Sequence, residues 1–540
     1  MQSETASLLT LGHSNKFDGS CLIAALQPDF KEMHFNSRIM TRKLLFLSAM
    51  VLMLSSCEGA LDDIFGEWDH PVAATISYAT TSITKIFGDD DFTIELTNTG
   101  DGTVTYSSSN TAVAEVDTST GLVTLKGGGD ATITATVSNG EHNFYAVKTI
   151  TYALTVRDAY IYYDLSTGEA VKKAALAEDC KVVTSSTTSW DDTKTLVVKN
   201  DVTIDGKVTL TGAVNLILCD GAELKINGQI DYGSTPITNK SLTIYAQSAG
   251  SGRLSVNKTT NDAFTNSGAI YCDALNIHGG KLEVINHYTS TDCDAIRVPY
   301  HDIMIYGGDI KAQAYSGDGI ETASSIKVII SGGKLETIGG DDTFNTNNGG
   351  AGINGQLDAS GSAVVIATGG KGYYNGGAGV DKNAEVSGNA NVTATGGVGT
   401  NTHGGHGFGG NLTVSGNATV IAKGGLSTNN KGGDGVSSNL TIKDNANVTA
   451  IGGNTTKSDE NGGYGVSGYF YYYGGKFTIE SGKNASNTYY YAIASTLYNK
   501  TADVVSFERK TSSSDWTSFP VDGNSSEAMN SSMYIAVRKQ

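Results

Sequence analysis

Over residues 431–453 the chain reads "KGGDGVSSNLTIKDNANVTAIGG", a run of short apolar–polar alternations with no helical spacing. Val436, Leu440, Ile442, Ala446, Val448 and Ala450 fall on one side of the alternation, and Thr441, Asn447 and Thr449 on the other. A period of two sends one set into a core and the other into water, which predicts three short strands. Glycine, asparagine, aspartate and serine bound each run, as tight turns require. Nearly the same phrase stands at 404–425, "GGHGFGGNLTVSGNATVIAKGG", and at 376–397, "GGAGVDKNAEVSGNANVTATGG".

The repeat extends further back. Turn marks fall at Gly279, Gly307, Gly332, Ser360, Ser387, Ser415, Asp444 and Gly474, a drifting period near 28 residues. A second series, from Asp294-Ala295-Ile296 and Asp318-Gly319-Ile320 to Tyr464-Gly465-Val466, marks the same turns. Self-similarity at such a period is the signature of a solenoid. Three strands, two tight turns and one longer loop fill one turn, and the next copy stacks above it at ~4.8 Å. The spacing therefore predicts a parallel β-helix over 200–500, expected to be right-handed, with its first strands drawn from 196–226. Asparagines at repeated turn positions can adopt the left-handed conformation and stack in ladders. Because an open solenoid end exposes strand edges, both ends need covers. "EAVKKAALAED", residues 169–179, has helical spacing and would cap the first turn within a connector spanning 158–199, while 501–540 would close the other end.

Upstream, "FTIELTN", "TVTYSSSN", "LVTLKGGGDATITATV" and "KTITYALTV" alternate in the same way between turn residues, as expected of a small β-sandwich over 74–157. The whole chain thus reads as all-β.

Composition narrows function only a little. Glycine makes up 67 of 540 residues against five prolines, which excludes collagen-like and proline-rich disordered chains and points to many turns with φ > 0. A net charge of −18 argues against nucleic acid as a partner. Residues 40–57, "MTRKLLFLSAMVLMLSSC", place Arg42 and Lys43 before an apolar run too short to span a bilayer, as in a secretory signal. Of the cysteines beyond it, Cys180, Cys219, Cys272 and Cys293, export would permit disulfides, though Cys219 in "NLILCDG" reads as a buried thiol.

Each later turn carries a loop after its third strand, so the loops should stack on one side. There Tyr373, Tyr374, His403 and His406 could stack on sugar rings while asparagines bond hydroxyls; ordinary solvated loops are the alternative. Asp292, Asp294 and Asp318 recur on adjacent turns, and Asp341 with Asp342 opens a loop. Such stacked carboxylates could hold Ca²⁺; aspartates that cap turns by bonding the backbone are the plainer alternative. A lyase would need an arginine or lysine base, for which Arg297 is the candidate; a hydrolase would need paired acids.

Four resemblances add to this reading. "LSSC" at 54–57 resembles the bacterial lipoprotein signal, which implies that Cys57 is lipidated, that Met40 is the initiator, and that residues 1–39 are a non-native extension. The acidic tether 58–73 resembles export signals of Bacteroides-type lipoproteins, implying a surface-exposed outer-membrane lipoprotein held by its lipid anchor. "YSSSNTAVAEVDTSTGLVTLKGGGDATITATV", 106–137, resembles a bacterial immunoglobulin-like domain of the second group, which implies a stalk. "ALNIHGGKLEVI", "DCDAIRV" and "SGDGIETASSIKVIISGGKLETIGG" resemble a clostridial carbohydrate-binding β-helix family related in shape to pectate lyases. That resemblance implies binding of acidic or plant-wall polysaccharide, with calcium. The expectation is a non-catalytic surface protein that binds polysaccharide or a host glycan; the alternatives are a polysaccharide lyase-like enzyme and a purely structural stalk.

Overall fold

In the computed structural model, which describes residues 75–138, 148–233, 238–259, 268–289, 293–342, 347–510, 515–528 and 536–539, one repeat comprises the strands Ile320–Thr322, Lys327–Ile330 and Lys334–Ile338. Each pairs in parallel with its counterpart one turn on: Ile320 with Ile353, Val328 with Leu357, Leu335 with Val365. We call the three resulting sheets walls A, B and C in chain order. The chain is all-β, an immunoglobulin-like domain followed by a parallel β-helix.

The alternation lines the core as its period dictates. Val436, Leu440, Ile442, Ala446, Val448 and Ala450 are all fully buried. Wall A thins along the molecule: beyond Ile353–Asn354 it persists only as single bridges linking Ile353, Val380, Phe408, Val436, Val466 and Ile493 in one interior column. At the first turns Trp190 is fully buried and donates Nε1–H to the Thr187 carbonyl at 2.9 Å.

The periodic turn marks are the corners between walls B and C. The corner residue takes φ of +77° at Gly333 and +66° at Gly416, a region that costs an L side chain strain. Asp444 occupies the same corner at φ +57°, and its Oδ2 accepts the N–H of Gly416 one turn back at 2.8 Å. Asparagine ladders run beside these corners. Asn417 Nδ2 donates to Asn389 Oδ1 at 3.2 Å, and Asn445 Nδ2 to Asn417 Oδ1 at 3.4 Å.

The helical reading of 169–179 is overturned. Val171–Leu176 is a strand, antiparallel to Ala159–Asp164, and only Ala177–Asp179 turn as a 3-10 helix. Its alanines and leucine follow a spacing that either element can use, and cross-strand pairing decides between them. The hairpin lies against wall B, where Tyr163 bridges Ala246 and Gln247 Nε2 donates to the Ile161 carbonyl. The parallel stacking of wall B already begins at Cys180–Val182. At the far end Ser525–Ala528 and Ala536–Lys539 pair antiparallel with the last strands of walls B and C and cover their edges.

In the immunoglobulin-like domain Lys148–Arg157 lies between Ser82–Ile86 and Gly129–Val137, and Val104–Ser108 completes that sheet. Val123, Ile133, Ala135 and Leu154 fill its core. Cys180, Cys219 and Cys272 are free thiols, and Cys219, Cys272 and Cys293 are buried.

Candidate functional site

Wall C hands the chain to a loop, and the loop returns to wall A. Both passages run through Gly-Gly pairs, and these pairs meet. Gly370 N–H donates to the Gly350 carbonyl at 2.8 Å, Gly377 to Gly370 at 2.9 Å, Gly397 to Gly377 at 2.8 Å and Gly405 to Gly397 at 2.8 Å. The same zigzag continues through Gly425, Gly433, Gly453 and Gly463 to Gly482. A Cβ added at Gly377 would fall inside the Gly350 carbonyl oxygen, and one at Gly405 inside that of Gly377. Glycines at φ > 0 recur along the chain, as composition predicts, and the ladder gives glycine a second role. The ladder glycines serve close backbone approach, since none of them has φ in the left-handed region.

The ladder pinches each loop at its neck. Outside it the loops stack through bridges Gly372–Gly399, Gly399–Ser427 and Ser427–Thr455. Thr428 Oγ1 donates to the Thr400 carbonyl at 2.6 Å, and Thr456 Oγ1 to the Thr428 carbonyl at 2.7 Å.

Between the loop row and wall A runs a polar groove. One cleft of about 510 Å³ is lined by Asp294, Asp318, Glu321, Asp342, Asn347, Asn348 and Asn354 among others. A neighbouring cleft of about 430 Å³ shares Asp318, Asn348 and Asn354 with it and adds Asn375, Asp381, His403 and His406. Among the described residues no lysine or arginine lines either.

Two columns of wall A supply this lining. Two positions before the interior apolar residue stand Asp294, Asp318, Ala351, Ala378, His406, Asp434 and Tyr464; just after it stand Arg297, Glu321, Asn354 and Asp381; of these, Arg297, Asp434 and Tyr464 lie outside the two clefts. Asp294 is 1% exposed, and its Oδ1 accepts the N–H of Asp318 at 2.8 Å. Burial, a hydrogen bond with Glu321 and the charges of Asp318 and Glu321 push its carboxyl well above the usual range. Asp318 Oδ1 accepts from Ala351 N–H at 2.6 Å and Oδ2 from Asn354 Nδ2 at 2.8 Å; burial raises this group to about 6. Arg297 sits 3.3 Å from Asp294 and 2.7 Å from Glu321, and its guanidinium lies 5.8 Å from the Tyr271 ring centre. A guanidinium tied to two carboxylates is poorly placed to act as a base.

The remaining candidates divide. His403 and His406 both line the groove, and His406 Nδ1 accepts the N–H of Asp434 at 3.0 Å. Burial, chiefly, lowers the His406 pKa. Tyr373 and Tyr374 do not line it; they pack edge to face at 5.1 Å on a loop, with Tyr374 45% exposed. Asp341 accepts from Lys371 N–H at 2.7 Å and Asp342 from Asn347 N–H at 2.6 Å. The four described aspartates thus bond the backbone, as turn-capping carboxylates do. Among the described residues no group of three or more His, Cys, Asp or Glu is arranged to hold a metal ion. Asp292 and Cys57 lie outside the described residues.

Residues 94–139 match the family described as the intimin immunoglobulin-like domain. The match covers one edge of the chain's architecture, a bacterial immunoglobulin-like domain, and none of the β-helix. No curated protein matches the chain. Among the described residues no helix is long and apolar enough to cross a membrane.

Glu321, Asn354, Asp381, Asn348 and Asn375 did not emerge from the sequence as site residues. The first three were within reach: each directly follows the apolar residue of a wall A repeat, where a polar side chain must point outward.

Proposed function

We propose that this chain is a surface-exposed, adhesin-like bacterial protein whose β-helix binds polysaccharide in the groove between wall A and the loop row. The observation that carries the reading is the lining itself. Carboxylates and amides recur at one-turn intervals, with two imidazoles on one turn beside them, along an open, polar strip, which suits an extended chain of hydroxyl-bearing rings better than a compact ligand. The immunoglobulin-like domain presents the β-helix, and lipidation at Cys57 anchors the whole to the outer membrane.

Charge sets the ligand class. Asp318, Glu321 and Asp342 would repel an unassisted uronate chain, so an acidic polysaccharide requires a bridging cation such as Ca²⁺. A neutral plant-wall chain requires none. The paired state of Arg297 weighs against a lyase. The full-length chain on a glycan array, with Ca²⁺ and again with EDTA, tests the reading: neutral glycans should be retained in both buffers. An array empty under both conditions would leave the structural stalk standing instead.

A further inference from the structure

The wall A column that lines the groove changes character toward the C-terminal end. The column that faces it with Asp294, Asp318 and His406 continues as Asp434 and Tyr464, and the bridge from Val466 to Ile493 sets Tyr491 in the same position one turn later. Tyr490 meets both neighbours, at 6.4 Å from Tyr464 and 5.0 Å, edge to face, from Tyr491. All three rings are half-buried. Here the glycine ladder also stops. The pair before the last loop is Ser481-Gly482, and the return that earlier turns write as Gly-Gly reads "TYYYAI". Large side chains are therefore admitted at the one neck where no further glycine pass must fit.

Charge changes with the rings. Lys431 holds its ammonium 3.9 Å from the Tyr464 ring centre and 2.8 Å from Asp434 Oδ1. Lys483 lies 4.7 Å from the Tyr489 ring centre. The opposite end of the groove has four carboxyl groups and, among the described residues, no lining cation.

We infer that Tyr464, Tyr490 and Tyr491 form an aromatic subsite that takes the apolar face of a pyranose ring and ends the glycan groove. The inference rests on the polysaccharide reading and deepens it. Aromatic side chains offer flat apolar area with a polar tip, matching a sugar ring whose C–H face is apolar and whose rim carries hydroxyls. A chain running from the acidic end would then bind in one direction, its hydroxyls bonded early and its ring stacked last.

The test uses the full chain in native gels cast with hydroxyethylcellulose, xylan or polygalacturonate. Wild type should be retarded by at least one of the three, and Tyr464→Ala, Tyr490→Ala and Tyr491→Ala should each weaken that retardation about tenfold, as loss of one stacked ring implies. Tyr464→Phe should retain it, because stacking needs the ring, and Tyr469→Ala, on the outer face of wall B, should not alter it. In wild-type protein, which removes any question of misfolding, the retarding polysaccharide should also shield Tyr464, Tyr490 and Tyr491 from nitration. Retardation of wild type with full nitration of these three residues overturns the subsite and spares the broader reading. Absence of retardation in every gel, with an empty glycan array, overturns both.

Discussion

The carboxylate of Asp294 accepts the backbone N–H of Asp318, exactly one turn further along wall A, at 2.8 Å. Each residue is thus both a groove-lining acid and a fastener between turns. Burial raises both, so the folded protein keeps protons that the unfolded chain releases. For Asp318 the stabilisation is fully present below the ordinary value of 3.8 and is lost as pH rises through about 6.

Replacing Asp318 by asparagine should therefore help most at high pH. The amide still accepts from Ala351, and a flipped Asn354 can accept from the new NH₂. Urea unfolding at pH 4 and pH 8 should show Asp318→Asn gaining on wild type by on the order of 2–3 kcal/mol between the two. A difference that stays constant with pH would mean that this carboxyl titrates normally. Because His278 and His406 have lowered pKa values and act oppositely below 6.5, only the difference between variant and wild type isolates Asp318.

The glycine ladder separates what may vary from what may not. The loops outside it hold 371–375, 398–403, 426–431 and 454–461, the first shorter and the last longer than the middle two, while the ladder keeps its register. Inserting Gly-Ser between Ser458 and Asp459 should change unfolding free energy by less than about 1 kcal/mol, since lengthening a surface loop costs little closure entropy. Gly377→Ala, which drives a methyl into the Gly350 carbonyl, should cost about 3 kcal/mol or more. Equal effects from the two changes would mean that the ladder is not the constraint.

Phe408 is the large member of the interior column otherwise built from Ile353, Val380, Val436, Val466 and Ile493. It is fully buried, so truncation removes its transfer energy and leaves a cavity that stacked turns cannot easily collapse. Phe408→Ala should lose about 3–5 kcal/mol in urea unfolding, and Phe408→Leu distinctly less. A loss below about 1 kcal/mol would show that wall A tolerates voids.

The walls were legible in the sequence because alternation is local: Val436, Leu440 and Ile442 declare their side without reference to any other turn. The corner glycines were legible for the same reason. The ladder was not, because Gly370 and Gly377 meet only after the loop between them has closed, and local composition cannot distinguish a turn from a close approach. The hairpin at 171–176 escaped because its pairing with 159–164 outweighs a spacing shared with helices. In the groove, the one-turn recurrence of Asp294 and Asp318 could be read, whereas Asn348 and Asn375 come from loops whose path depends on the ladder. Tyr373 and Tyr374 had the right chemistry in a place that does not line the groove.

The hairpin's contact with the β-helix offers the last prediction. His278 stacks on Tyr245 at 4.5 Å and packs against Tyr306 at 4.8 Å, and its Nδ1 accepts the Leu165 N–H at 3.1 Å. That bond requires an unprotonated Nδ1. Burial lowers the His278 pKa, with Asp164, 3.2 Å away, opposing. The neutral ring's contribution is therefore present above 6.5, where the unfolded histidine is also neutral, and is lost as pH falls through the lower folded value. His278→Phe keeps the stacking but leaves the Leu165 N–H without its acceptor, at a cost of about 1–2 kcal/mol at pH 8. Because phenylalanine does not titrate, the wild type's advantage should shrink from pH 8 to pH 5, and the Leu165 amide should exchange faster in the variant at pH 8. An advantage that grows toward pH 5 would mean that the Asp164 carboxylate, and not the Leu165 amide, governs the ring.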